Sequence, residues 1–278
     1  MASPEEKFID LHLHTSFSDG TLTPEELISL AAASGLSAIA VTDHDTVAGL
    51  SRSIESGREM DIEVLAGIEL SAEYEGKELH ILGYLVDYEN KNLLKQLNIL
   101  KENRIKRIYD MAEKLNGLGL RLSPQDIFAA SLGSVVGRLH VARAMVQQGL
   151  VTSTQEAFQK YIGDNCPAYV LGFKFSPKEA IRLIKEIGGI PVLAHPYTVN
   201  NDAVLLKLIE DGLMGLEAYY PEHSQAMTNF YLNLAKENNL LVTGGSDFHG
   251  NSKPAVKMGC MKIPYCLVDT LRKAQKKL

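Results

Sequence analysis

Two histidines one residue apart, His12 and His14, open a series of polar clusters in this 278-residue chain. Asp19 follows, then His44 within Asp43-His44-Asp45, then Glu69, His80 and His195, and finally Asp247 and His249 in Ser246-Asp247-Phe248-His249. Singly, each has an ordinary reading: a chance pair on a strand, a solvated loop, a hydrogen-bonded core histidine. As a set they read differently. Six of the eight histidines belong to it, and the elements described next bring all six, with Asp19, Glu69 and Asp247, to one rim. Neutral imidazoles mixed with carboxylates suit Zn²⁺, Mn²⁺ or Fe. Nine donors exceed the needs of one ion, so two or three divalent ions sharing a bridging carboxylate is the economical arrangement. Metal pairs about 3.5–4 Å apart serve in-line displacement at phosphorus or hydrolysis at a carbonyl carbon.

The elements that must position these groups alternate between two periods. FIDLHLH, residues 8–14, reads as a strand. Strict alternation would put Ile9, Leu11 and Leu13 on one face and Asp10, His12 and His14 on the other. A helix follows, with Thr23-Pro24-Glu25-Glu26 as N-cap, N1 proline and capping box. SAIAVT (37–42) is a buried strand ending at Asp43, and IEVLAGIEL (62–70) is a strand delivering Glu69. The tip EYEGKE turns it back into LHILGYLV (79–86), a hairpin in which Glu69 and His80 meet at the same rim. From residue 88 to about 165 strand signals lapse. Leu93, Leu94, Leu97, Leu100, Ile108, Met111 and Leu115 fall on helical spacing, and helical segments follow near 123–132, 138–149 and 153–163. The alternation then resumes: a capped helix from Ser176, strand IPVLAH (190–195), strand GLEAYY (215–220) and strand LLVTGG (240–245). Strands alternating with helices predict a parallel α/β architecture, with the polar clusters at strand C-termini, where such folds keep their sites. We therefore expect 1–87 and 166–278 to form the α/β body and 88–165 a helical insertion.

Composition agrees with an ordinary globular chain. It is 45% hydrophobic and 22% charged with a net charge of −6, which excludes disordered, collagenous and coiled-coil classes and speaks against general nucleic-acid coating. No apolar run reaches the ~18–20 residues of a membrane span, and the acidic start MASPEEKF reads as no secretory signal. Three cysteines, Cys166, Cys260 and Cys266, form no C-x-x-C pair. They read as partly buried thiols in a reducing, cytoplasmic compartment. The nucleotide loops G-x-G-x-x-G and G-x-x-x-x-G-K-[ST] do not occur.

HLHTSFSDGT (12–21) followed by TDHDT (42–46), GIELS (67–71), ELHILGY (78–84), LAHP (193–196) and GSDFHG (245–250) resembles the polymerase and histidinol phosphatase (PHP) family. The resemblance runs from about residue 8 to about residue 255, and the motifs keep the family order. It implies a distorted (β/α)₇ barrel with a trinuclear site. One ion would take His12, His14, Glu69 and Asp247. A second would share Glu69 and take His80 and His195, and a third would take Asp19, His44 and His249. Asp10 and Asp43 would orient imidazoles. The aspartate at position 19 resembles the branch acting on nucleotides, which includes 3′,5′-nucleoside bisphosphate phosphatases and 5′→3′ exonucleases, and in which the helical insertion forms a lid.

That lid would supply cations. Lys101, Arg104, Lys106 and Arg107 lie in LKENRIKRIYDM, with Arg104 and Arg107 on one helix face. Arg138 and His140 stand beside Gly137, where a helix N-terminus adds its own attraction for anions. Leu139 replaces the proline common there in the branch. Asp45 is a candidate to accept a substrate hydroxyl or position a water, and His223 a candidate to protonate the leaving group. These readings converge on a metal-dependent phosphoesterase. In it a metal-activated hydroxide would attack a nucleotide phosphate monoester, most simply a nucleoside monophosphate or a 3′,5′-bisphosphate whose second phosphate the lid grips. The alternatives are a 5′→3′ exonuclease on short RNA and a non-catalytic metal-stabilised interaction domain. The partner expected is a small phosphorylated molecule or short RNA, with no membrane; the oligomeric state is left open.

Overall fold

The computed structural model describes residues 6–131, 135–172, 174–199 and 201–278. Its strands are β1 (Phe8–Leu13), β2 (Leu36–Val41), β3 (Glu63–Tyr74), β4 (Lys77–Tyr84), β5 (Ile190–Leu193), β6 (Gly215–Tyr219), β7 (Leu241–Gly244) and β8 (Ile263–Pro264). They form one sheet in the order β7-β6-β5-β4-β3-β2-β1-β8. β1–β2–β3 and β5–β6–β7 are parallel; β4 runs antiparallel between them, and the two-residue β8 is antiparallel to β1. The sheet curls until its ends nearly meet. His14 N donates to Phe248 O at 3.0 Å, and Leu13 bridges to Phe248. This is the distorted α/β barrel that the motifs imply.

Helices α1 (Pro24–Ala33), α2 (Leu50–Glu59), α7 (Pro177–Glu186), α8 (Asp202–Glu210) and α9 (Gln225–Glu237) clothe the barrel, and α10 (Cys266–Gln275) packs on β5 and β7. Both expected capping boxes are present, Thr23 with Glu26 and Ser176 with Glu179. The core is double-layered. Leu65, Leu82, Tyr84, Ile190 and Val192 fill the interior together with Val268 and Leu271 of α10, while Leu27, Ile28, Ile68, Ile81 and Ile184 join sheet to helices outside.

Strict alternation fails in β1. Asp10 pairs with Ile39 and Leu13 with Val41, so three steps on β1 match two on β2. The extra residue is a β-bulge. Ile9 and Leu11 therefore enter the inner cluster while Leu13 joins the outer one, and Asp10 parts from His12 and His14. The bulge is what lets an apolar barrel floor and two imidazoles share one short strand. It also brings β1 against the end of β7: a Cβ on Gly245 would lie 2.4 Å from both N and Cβ of His12. Gly245→Ala is expected to lower stability by about 1–3 kcal/mol, read as a fall in Tm; an unchanged Tm would mean that the barrel closes elsewhere.

The β3–β4 hairpin turns at Glu75 and Gly76, both at positive φ, and β3 continues five residues past Glu69, so the hairpin projects beyond the rim. Between β4 and α7 lie α3 (Lys91–Gly117), α4 (Pro124–Ala130), α5 (Arg138–Gln147) and α6 (Thr154–Ala157), which runs into a π-helical turn at Phe158–Ile162. α3 is shared. Leu93, Leu97 and Leu100 join the outer barrel cluster, while Ile108, Met111 and Leu115 join a separate helical cluster reaching Ala168. Leu94, expected on the apolar stripe, is 46% exposed. Leu139 leaves the start of α5 intact, because Gly137 caps it and His140 Nδ1 accepts the Gly137 N–H at 3.0 Å. Among the described residues no helix is long and apolar enough to cross a membrane.

Candidate active site

All nine expected donors reach one rim. His12 and His14 leave the bulged β1, and Glu69 stands within β3. His80 enters from the start of antiparallel β4, while His44, His195, Asp247 and His249 follow the ends of β2, β5 and β7. Asp19 lies on the loop after β1. Donor atoms fall within 4.8 Å of one another in three overlapping groups: His12, His14, Glu69 and Asp247; His44, Glu69 and His80; and His14, Asp19, His44 and His249. His195 Nε2 lies 3.3 Å from Glu69 Oε1 and from His80 Nδ1, which ties it to the second group. Glu69 is the hub. Its Oε2 is 3.2 Å from His12, His14 and His44, and its Oε1 is 2.9 Å from His80. His195 and Asp247 hold positive φ, 28° and 55°, a backbone cost that functional sites tolerate.

The chemistry of this set fits divalent ions. His14 Nδ1 and Nε2 and His44 Nδ1 are buried without a hydrogen bond, although His14 Nε2 and His44 Nδ1 each lie 3.2 Å from a carboxylate oxygen. They do not aim at one another as hydrogen-bond partners do. Donor separations near 3.2–3.5 Å would suit donors sharing one divalent ion. Electrostatics agree. Burial would raise Glu69, yet the imidazoles of His44, His12 and His80 hold its carboxyl well below the usual range. Asp19 and Asp247 are held low by their own histidines in the same way. Burial would lower His14 and His80, but the surrounding acids push them up to about 9 and about 10. The cage is built to hold positive charge.

Other side chains fix the donors, and sequence reasoning missed the most important of them. Glu217, fully buried on β6, has Oε1 2.9 Å from His12 Nδ1, and its Oε2 accepts from His195 N at 2.8 Å. This arrangement leaves His12 Nε2 to face Glu69 and Asp247. A lone acid inside GLEAYY was the available signal. Tyr220 OH at 2.9 Å and Lys253 Nζ at 2.6 Å both donate to Asp247 Oδ2, leaving Oδ1 toward His12 and His14. Asp10 and Asp43 do not orient imidazoles as expected. Asp10 accepts from Ser246 N and Gly259 N, and Asp43 from Thr15 N, Thr15 Oγ1 and Ser18 Oγ. They hold the backbone and loops that carry the donors.

A cleft opens from the rim, lined by Asp19, His44 and His80 on one side and by Arg104, Arg107, Arg138, His140 and Lys174 on the other. The cavity behind its mouth measures about 150 Å³. Arg104 and Arg107 both face it, as their spacing predicts. Arg107 Nε donates to Val170 O at 2.7 Å, but its Nη2 is buried and unpartnered. Burial, reinforced by Arg138, lowers its pKa from the usual arginine value. His140 Nε2 is also buried and unpartnered. Because Nδ1 accepts from Gly137, Nε2 carries the proton, and burial brings the ring down to about 4. His140 thus presents an Nε2–H donor that no group among the described residues accepts.

Both oxygens of Asp45 accept hydrogen bonds, Oδ1 from Ser71 N at 2.8 Å and Oδ2 from Arg104, which also donates to Ser71 Oγ. Asp45 thus holds Arg104 at the cleft, and each of its oxygens keeps a lone pair beyond these bonds. Lys101 and Lys106 are exposed and lie outside the cleft lining. His223 is half-buried, donates toward Ala218 O at 2.9 Å and packs among Tyr197, Tyr220 and Tyr231. His223 is not among the residues lining the cleft, and its Nε2 is buried without a hydrogen-bond partner. Cys260 and Cys266 are exposed, not partly buried, and all three thiols are unpaired.

Comparison with known proteins places this geometry in context. A model of the PHP domain matches residues 10–167. The chain is 34% identical over 248 residues to a 5′-3′ exoribonuclease of Haemophilus influenzae, covering 87% of this chain and 90% of that protein. It is 32% identical over 252 residues to a 3′,5′-nucleoside bisphosphate phosphatase of Chromobacterium violaceum, covering 87% of each. A solved structure of a putative metal-dependent phosphoesterase from Bifidobacterium adolescentis superposes with a TM-score of 0.87 at 31% identity, over 97% of this chain and 96% of that one.

Proposed function

The chain belongs to the PHP family of metal-dependent phosphoesterases, and from that premise we propose that it hydrolyses a phosphate monoester of a nucleotide bearing a second phosphate, a 3′,5′-nucleoside bisphosphate. One observation carries the reading. Arg107, whose Nη2 is buried without a hydrogen-bond partner, is among the residues lining the cleft that reaches His44 and His80. His140 Nε2 offers a second free donor on the same wall. The relative from Chromobacterium violaceum, a 3′,5′-nucleoside bisphosphate phosphatase, supports the substrate class.

The residues proposed to hold two or three ions of Mn, Fe or Zn are the three groups described above, with Glu69 common to two of them. Such ions supply Lewis acidity toward phosphoryl oxygens and activate water for attack at phosphorus. The chain's own groups do the rest. Glu217 fixes the His12 ring, while Tyr220 and Lys253 fix Asp247. Asp45 and Ser71 hold Arg104 at the cleft. Arg107 and His140 donate to the phosphate that does not react, which anchors the nucleotide while the other phosphate lies at the ions. We place residues 88–165 as a lid domain on the grounds of their separate apolar cluster. The unpaired thiols support a cytoplasmic setting.

The test is a matched pair of substrates. Arg107→Met should raise KM for a 3′,5′-bisphosphate about tenfold or more, since a charge-assisted contact is worth roughly 1.5–3 kcal/mol. It should change 5′-monophosphate hydrolysis less and leave metal content intact. Equal losses on both substrates would place Arg107 on the reacting phosphate and remove the basis for the bisphosphate. A second reading, a 5′→3′ exonuclease on short RNA, is favoured by the relative from Haemophilus influenzae. Faster turnover of a 5′-phosphorylated oligonucleotide than of the bisphosphate would select it.

A further inference from the structure

Glu78 stands on β4 two residues before His80 and on the same face. Its oxygens have different partners. Oε1 lies 3.3 Å from His80 Nε2, whereas Oε2 accepts from Arg138 Nη2 at 2.7 Å and from Lys174 Nζ at 2.8 Å. Both cations are held firmly. The Lys174 side chain is 7% exposed. The Arg138 guanidinium lies 5.9 Å from the Phe158 ring centre and 5.6 Å from that of Tyr169, and its other arm reaches Asp164 at 2.7 Å. Arg138, Lys174 and Glu78 line the same cleft as the free arm of Arg107. An anion entering beside Arg107 therefore meets two further oriented cations that share Glu78, with Asp164 also on Arg138 and Glu73 3.9 Å from Lys174.

We propose that Glu78 is a built-in competitor for the second-phosphate site, holding Arg138 and Lys174 until a phosphate dianion displaces it. The inference rests on the bisphosphate reading above and adds its selection rule. A terminal phosphomonoester carries about −1.5 to −2 charge near pH 7 and three strong acceptor oxygens. That is enough to take both cations from a carboxylate with one charge and two oxygens. An internal phosphodiester carries one charge and a ribose hydroxyl none, so neither displaces Glu78. The cleft then favours a nucleotide with two terminal phosphates over a mononucleotide and over the interior linkages of RNA. The displaced carboxylate keeps Oε1 on His80, so His80 retains its partner in both states. No covalent bond changes in this exchange.

Inorganic sulfate is the probe, a dianion that tests the site without a nucleotide. Calorimetric titration into the metal-loaded enzyme compares wild type with Glu78→Gln, which keeps the size and hydrogen bonding of the side chain and removes its charge. Glu78→Gln should bind sulfate about tenfold tighter, and its preference for bisphosphate over 5′-monophosphate in kcat/KM should grow by a similar factor, mainly through a lower KM for the bisphosphate. Lys174→Met supplies the opposite sign in a different side chain: with one cation gone, sulfate should bind about tenfold weaker. Unchanged or weaker sulfate binding in Glu78→Gln, or unchanged binding in Lys174→Met, overturns the proposal. A wild-type enzyme with no preference for the bisphosphate overturns the second-phosphate reading and the selection rule with it, whatever sulfate does. A wild type that has the preference, paired with a Glu78→Gln variant of unchanged sulfate affinity, overturns the role of Glu78 alone.

Discussion

Glu69→Ala should reduce phosphoesterase activity about a thousandfold or more and strip more than one ion from each chain. The size follows from its position. One carboxylate stands within 3.3 Å of five imidazoles, those of His12, His14, His44, His80 and His195, and two of the three donor groups include it. Removing a group that merely orients a metal ligand costs about 10–100-fold, so losing a ligand shared by two groups costs more. The isosteric Glu69→Gln separates the bridge from simple packing, because it fills the same volume with half the acceptor capacity. Elemental analysis and activity at saturating metal are the measurements. Near-normal metal content with near-normal turnover would remove Glu69 from its place as the bridge.

The second large effect belongs to a residue that touches no candidate ion. Glu217→Gln should weaken metal binding about 10–100-fold and let activity recover when metal is added in excess. Glu217 bonds both the His12 ring and the His195 backbone N–H. An amide cannot serve both. If its oxygen faces His12, its NH₂ opposes the N–H of His195. If its NH₂ faces His12 Nδ1, the ring must move its proton to Nε2, the atom directed at Glu69 and Asp247. Metal titration against activity reads the result. A loss that excess metal does not repair would give Glu217 a role beyond holding its neighbours.

The nine donors were legible because their residue types are rare inside strands and because strand ends in α/β folds share one rim. The meeting of Glu69 and His80 at one rim followed from the hairpin tip EYEGKE, although in register Glu69 faces Leu82 and His80 faces Ser71. The faces of β1 were not legible: a bulge inserts one residue between Asp10 and Leu13, and no composition rule marks where a ladder slips. Glu217 went unread although a buried acid within GLEAYY was its own signal, since a single charge in an apolar strand passes for an edge position. Arg104 and Arg138 were visible, but their pairing was not, and Lys174 went unread. Arg104 finds Asp45, and Arg138 and Lys174 find Glu78, across separations of 59, 60 and 96 residues, which only the folded chain sets. For this reason the Asp45–Arg104 bond and the unpartnered Nη2 of Arg107 could not be read from the sequence.

The claim on which the rest depends is that the overlapping donor groups hold more than one ion in a working phosphoesterase. Metal content per chain, measured after reconstitution with Mn²⁺ and removal of loosely bound ions, tests it most directly. The account predicts two to three ions per chain, with hydrolysis of a 3′,5′-nucleoside bisphosphate rising as they bind. One ion or none in a folded chain that hydrolyses that substrate at full rate would contradict it.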